Sequence, residues 1–372
     1  MTPRLLLAAV AAYCLAFPSS VSAQRPRPAQ IESPVVHPDR TVTFQFRAPN
    51  AKKVEVSTQF TRGNQELKPD TNGLWSVTLG PAKPNLYPYN FIVDGVSVAD
   101  PNNLHLFPNE RFKSSLVDIP GEQPAIYAAQ NVPHGEVRYC YYPSPRFGMR
   151  PLLVYTPPGY QNTTEKYPVL YLVSGTTDTE ETWFKVGRVN FILENLIAQK
   201  KAVPMVVVMP YGNMMSGTPD PTTLQAAEMY QAFTEELVGA IMPYVEGQFR
   251  LSPDRTRRAI AGFSRGGGQS LFAGFSNLDK FAWIGSYSAY LTPEVFNKYF
   301  TPLAEAPETT NRQLRLLWVG VGREDFLYRQ AVTFDEYLKE KKIEHQSLVT
   351  EGGHTWMNAR HYLTETLQLF FK

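Results

Sequence analysis

The chain has 372 residues, enough for one small domain and one large one. Lys and Arg number 36 against 34 Asp and Glu, with no basic run, so nothing argues for a nucleic-acid or acidic-membrane partner. Hydrophobic residues at 43% and charged ones at 19% are ordinary for a soluble globular protein.

Residues 1–23 read as an export leader. Arg4 supplies the positive start, an apolar run extends from Leu5 to Phe17, and Val21-Ser22-Ala23 offers small residues before a cut. The run is shorter than the roughly 20 residues of a spanning helix. Bulky Tyr13 stands before Cys14, where a lipoprotein leader wants a small residue. The mature chain is therefore expected in the periplasm or outside the cell, with no membrane segment after cleavage. Cys140 is then the one remaining cysteine, which excludes an intrachain disulfide. Its aromatic, strand-like surroundings make it a buried bystander.

Residues 24–119 form the first predicted unit. A polar, Pro-rich tether leads to about residue 34. Val42, Phe44 and Phe46 then alternate with polar neighbours, as do Val54 and Val56. Trp75, Val77 and Leu79 share one strand face, and Tyr87, Tyr89, Phe91 and Val93 share another. Period-two alternation broken at Asn72-Gly73 and Asp94-Gly95 predicts antiparallel strands joined by tight turns. The segment is expected to be a small immunoglobulin-like β-sandwich. Residues 119–124, Ile-Pro-Gly-Glu-Gln-Pro, read as a linker.

From 130 to 372 strands and helices alternate. Residues 137–142 and 152–155 suggest an opening antiparallel pair. The continuous apolar runs 169–173 and 205–209 suit strands buried on both faces. Phe191, Ile192, Leu193, Leu196 and Ile197 recur at helical spacing between them. A longer helix is predicted over 224–249, from Phe233, Leu237, Ile241 and Val245. Further strands fall at 258–261, 283–287, 316–319 and 346–349. This order specifies a mostly parallel sheet with helices on both sides.

Gly262-Phe263-Ser264-Arg265-Gly266 matches G-x-S-x-G, the turn that exposes a serine between a strand and a helix. The pattern alone is weak, but a strand precedes it and a helix can follow. A serine hydroxyl needs a base, and the base needs an orienting carboxylate. Of six histidines, His354 alone sits in a loop just past a strand, after Gly352-Gly353. The 316–319 strand leads to Glu324 and Asp325, either of which stands where the carboxylate belongs, and Asp325 is preferred. Chain order Ser264, Asp325, His354 is that of an α/β-hydrolase. Backbone N–H groups of Arg265 and of Thr176, in Ser174-Gly175-Thr176, are expected to form the oxyanion hole. Trp183, Phe263, Phe326 and Trp356 lie near these loops and could wall an acyl pocket, although core packing accounts for each as well. The high aromatic content, 13%, suits such a cleft and a β-rich core equally. No H-E-x-x-H, no close Cys/His set and no phosphate-cradling loop is present, so no metal or cofactor is expected.

These motifs resemble the esterase D-like carbohydrate esterases of family one, which include feruloyl and acetylxylan esterases. The likeness runs through Val154-Tyr155-Thr156-Pro157-Pro158-Gly159-Tyr160, Glu181-Thr182-Trp183, Pro204-Met205-Val206-Val207-Val208-Met209-Pro210, the 261–269 elbow and Gly353-His354-Thr355-Trp356. It implies Ser264 as nucleophile, His354 as base and Asp325 as acid. Ala48-Pro49-Asn50-Ala51, Gly73-Leu74-Trp75-Ser76, residues 89–95 and Asp100-Pro101 resemble an early-set module of the glycogen-binding type. Two positions depart from the family. Ser174-Gly175 stands where His-Gly is usual, and Arg265 stands where Met is common.

The leading expectation is an exported esterase that releases hydroxycinnamate or acetate from an ester-decorated plant polysaccharide. A siderophore-trilactone esterase is a second reading, because similar hydrolases carry an N-terminal sandwich. A catalytically silent carbohydrate-binding protein is a third, against which the intact Ser, Asp and His argue.

Overall fold

Alternating apolar residues near the start of the chain close a two-sheet sandwich around one core. In the computed structural model, residues 30–214 and 224–372 are described; the leader read at 1–23 lies outside them. One sheet is centred on Val42–Arg47 paired antiparallel with Leu74–Leu79. The other places Asn85–Val93 between Val54–Thr58 and Ser114–Ile119. Val42, Phe44, Val56, Trp75, Tyr89 and Phe91 meet between the sheets. At the hairpin, Val93 pairs with Val96, and Asp94 and Gly95 both take positive φ, 48° and 88°. That is the backbone a two-residue turn of this twist requires. Just past the linker read at 119–124 the chain is pinned, because Asn195 Nδ2 donates to the carbonyls of Ile126 and Ala128.

The second unit is built on eight strands. Their order is Glu136–Ser144, Gly148–Thr156, Val206–Pro210, Val169–Val173, Arg258–Phe263, Trp283–Tyr287, Leu316–Gly322, Gln346–Thr350. Gly148–Thr156 runs antiparallel to both of its neighbours, and from Val206–Pro210 onward every pairing is parallel. One face packs on a core that includes Phe233, Ile241, Leu271, Phe275, Phe296 and Leu338. The opposite face packs on Ile192, Leu193, Leu196, Tyr362 and Leu363. The result is an α/β-hydrolase fold behind an all-β N-terminal unit.

The helix expected at 224–249 is continuous but not uniform. Leu224–Glu236 passes through a π-helical stretch, Leu237–Ile241, into Met242–Gln248. Pro243 has no N–H for the ladder, and a widened turn ahead of it absorbs the break. Cys140 is only half-buried, which corrects the expectation of full burial. Its strand lies at the sheet edge, with a neighbour on one side only. Among the described residues no helix is long and apolar enough to cross a membrane.

Candidate active site

Strand register brings the pieces together. Val173 pairs with Gly262 and Gly262 with Ser286, so the loop leaving Val169–Val173 begins beside the turn that leaves Arg258–Phe263. Loops at the carboxyl ends of adjacent parallel strands form the crevice where such folds bind ligands. Ser264 sits at that turn with φ 56° and ψ −122°, and its N–H donates to the Tyr287 carbonyl. A non-glycine residue reaches this region only when its surroundings hold it there. Helix Arg265–Ser276 starts at the next residue. A Cβ on Gly266 would stand 2.3 Å from the Val173 carbonyl oxygen, and one on Gly262 2.4 Å from the Gly266 backbone. Both positions must therefore be glycine for the turn to fit.

His354 Nε2 lies 2.8 Å from Ser264 Oγ. Its Nδ1 faces both oxygens of Asp325, at 3.0 and 2.9 Å. Gly352, at φ 85°, turns the chain there, and Thr355 caps helix Trp356–Leu367 immediately after. Asp325 is buried, whereas Glu324 is exposed, so of the two carboxylates only Asp325 meets the imidazole. Burial raises the Asp325 carboxyl, but the bond and charge of His354 and the Leu327 N–H outweigh it, holding the group below the ordinary carboxylate range. Two rings pack against the imidazole, Phe263 stacked at 4.8 Å and Phe326 tilted at 4.5 Å between centroids.

Opposite Ser264, the Gly175 N–H donates to Asp178 Oδ2 at 3.1 Å. The Thr176 N–H has no partner among the described residues, and the N–H of Arg265 opens a helix, where backbone donors go unpaired. Both residues line the same cavity as Ser264. Asp178 is buried, and its carboxyl is pushed up to about 7, chiefly by burial and against the pull of Arg265. The Arg265 side chain is itself buried, and its Nε and Nη2 have no partner among the described residues.

The cavity encloses about 820 Å³. Phe263, Phe326 and Trp356 line it, with Phe326 70% exposed at its lip. Trp183 does not. It is 0% exposed, its Nε1 donates to the Val173 carbonyl, and it packs edge-on beneath Trp356 at 4.7 Å. That corrects its expected place in the pocket wall: it props up a wall residue from the core. Residues that carried no motif complete the cavity. Phe107, Phe112, Gln59 and Asn90 come from the sandwich, and Tyr230 from the long helix. Asn109, also from the sandwich, donates to Asp178 Oδ1 at 3.2 Å. Alternation marks which sandwich residues point away from its core, but not that a second domain lies against them.

A family model described as "Putative esterase" matches residues 148–370. The chain is 29% identical, over 92% of its length and 46% of the other, to an endo-1,4-beta-xylanase/feruloyl esterase of Xylanibacter ruminicola. It spans less than half the length of the curated relatives it matches. Among solved structures, a ferulic acid esterase from Anaeromyces mucronatus is 24% identical at a TM-score of 0.57, covering 67% of this chain and 96% of that one. An enterobactin esterase from Shigella flexneri is 19% identical at a TM-score of 0.63, covering 88% and 92%. At these identities the two structures establish a shared fold.

Proposed function

Because the chain belongs to this esterase family, we propose that it cleaves carboxylic esters through an acyl-enzyme on Ser264. Ser264 Oγ attacks the ester carbonyl carbon while His354 Nε2 takes its proton, and the carbonyl oxygen becomes negative against the Thr176 and Arg265 N–H groups. The alcohol leaves with the proton from His354. Water, deprotonated in turn by His354, then releases the acid and restores the serine. Asp325 holds the tautomer that leaves Nε2 free to accept and stabilises the imidazolium. The observation that carries this reading is the unbroken chain from Ser264 Oγ through His354 to a buried Asp325.

The proposed substrate is a hydroxycinnamate or acetate ester on plant hemicellulose, met outside the cytoplasm after removal of residues 1–23. Support comes from the aromatic lining beside Ser264, which suits a planar acyl group. A curated relative whose name includes feruloyl esterase supplies the same direction. The expected result is that Ser264→Ala, still folded, loses about 10⁴-fold or more in kcat on methyl ferulate. Wild-type turnover in that variant would end the serine reading. A kcat/KM ratio of methyl ferulate to a catecholate trilactone well below one would end the hemicellulose reading. Efficient cleavage of acetylated xylan alone would narrow it to acetate.

A further inference from the structure

The loop beside Ser264 owes its shape to a residue of the sandwich. Asp178, at the loop's end, accepts the Gly175 N–H on Oδ2 and the Asn109 side-chain amide on Oδ1. Both residues are buried, 3% exposed for Asn109 and 4% for Asp178. The Asn109 amide is fixed in turn, because its Oδ1 accepts the N–H groups of Arg111 at 2.9 Å and Phe112 at 3.3 Å. Backbone contacts reinforce the junction: Asn109 bridges to Asp178, and the Glu110 N–H donates to the Thr177 carbonyl at 2.8 Å. Thr177 stands at φ 63°, which a β-branched residue occupies only when held. The Gly175 N–H is taken by Asp178, and of Thr176 and Thr177, whose N–H groups have no partner among the described residues, only Thr176 lines the cavity with Ser264.

We propose that Asn109 and Asp178 are positioning residues for ester hydrolysis, a clamp between sandwich and hydrolase that keeps the Thr176 N–H aimed at the developing oxyanion. The inference rests on Ser264 as nucleophile and on the Thr176 N–H as donor. A donor is worth most in the transition state, so its misplacement lowers kcat more than it raises KM. A shift of about 1 Å in such a group costs up to about a hundredfold.

The test uses the full chain and 4-nitrophenyl acetate, a probe independent of the natural substrate. Asn109→Ala is expected to lower kcat about ten- to a hundredfold with KM within about threefold. Phenylboronic acid, which forms a tetrahedral adduct on an activated serine, should bind more weakly by a similar factor. The reciprocal pair Asn109→Asp with Asp178→Asn can remake every bond. The new carboxylate accepts from Arg111, Phe112 and the residue-178 amide, whose oxygen accepts from Gly175. The pair is expected to recover kcat to within a few fold of wild type, whereas Asn109→Asp alone sets two carboxylates face to face and should lose it at alkaline pH, where they no longer share a proton. If the alanine variant does not fold, this isosteric single and double comparison decides alone. Asn109→Ala, or Asn109→Asp at alkaline pH, with kcat within twofold of wild type, while Ser264→Ala is inactive, overturns the clamp and leaves the nucleophile standing. A change in KM alone, or no recovery in the reciprocal pair, also overturns it. Full activity in Ser264→Ala instead removes the reading beneath it.

Discussion

Ser264 and His354 were legible as single residues because each chemistry carries a local mark: glycines on both sides of the serine and a glycine pair before the histidine. The carboxylate was legible only as a choice between two, since adjacent residues share one loop position and sequence does not say which side chain turns inward. Burial makes the difference, with Asp325 inside against His354 and Glu324 outside. We therefore expect Asp325→Asn to lower kcat/KM by about 10³–10⁴-fold and Glu324→Gln by no more than a few fold. A reversed ranking in steady-state kinetics would transfer the role to Glu324. The same geometry sets the pH profile. A histidine base works only when neutral, so activity must fall as the pH drops and the imidazole takes up a proton. Asp325, held below the ordinary carboxylate range, stays ionised through that fall. Asp325 should accordingly add no ionisation of its own to the acid limb of kcat/KM. Activity retained far into the carboxylate range would show that the base is not an imidazole.

Among elements, those with a strong period were readable and those set by docking were not. The sandwich strands, the buried parallel runs and the elbow follow from alternation, apolar runs and paired glycines. The π-helical stretch Leu237–Ile241 arises from Pro243 within an otherwise regular helical pattern, a local cost that tertiary packing absorbs. Trp183 was misread because nearness in sequence to a catalytic loop carries no direction, and its indole points down toward Val173 and Trp356. The Asn109–Asp178 contact had no mark at all, since it joins residues 69 positions apart across two domains. The elbow offers a sharp test at this scale. A methyl on Gly266 would lie 2.3 Å from the Val173 oxygen and 2.6 Å from the Ser174 oxygen, both backbone atoms that cannot swing aside. Gly266→Ala should therefore destabilise by about 1–3 kcal/mol through overpacking and lose activity out of proportion as the loop is pushed from Ser264. Urea midpoints and kcat measured together check this. An alanine variant equal to wild type in both would mean that the elbow is looser than drawn.

Across the whole molecule, the sandwich keeps a core of its own and also packs into one of the hydrolase's. Leu86, Phe107 and Leu116 of the sandwich pack in the same cluster as Trp183, Trp356 and Leu363. Arg360, 3% exposed on the helix that begins just past His354, ties the junction. Its Nη1 donates to the Val186 carbonyl, and its Nη2 to the Leu86 carbonyl and to Asn85 Oδ1. Burial lowers the guanidinium to about 10, against the opposing influence of Tyr127 and Asp118, so it remains charged at any physiological pH. Arg360→Ala would take a donor from the buried Val186 and Leu86 carbonyls, at about 1–3 kcal/mol for each acceptor left unpaired, while Asn85 Oδ1 keeps the Leu86 N–H, and would open a void at the seam. We expect a loss of about 3 kcal/mol or more, and Arg360→Lys should recover little, because an ammonium has no planar fork to reach both sides. A shared core also predicts that the wild type unfolds in one calorimetric transition, with calorimetric and van't Hoff enthalpies in agreement. Weakening the seam should split that transition, the sandwich and hydrolase melting apart. Esterase activity should disappear with whichever transition releases the sandwich, because the loop beside Ser264 is held from that side. Two separate transitions in the wild type, or activity that outlasts loss of the sandwich, would show that the hydrolase stands alone.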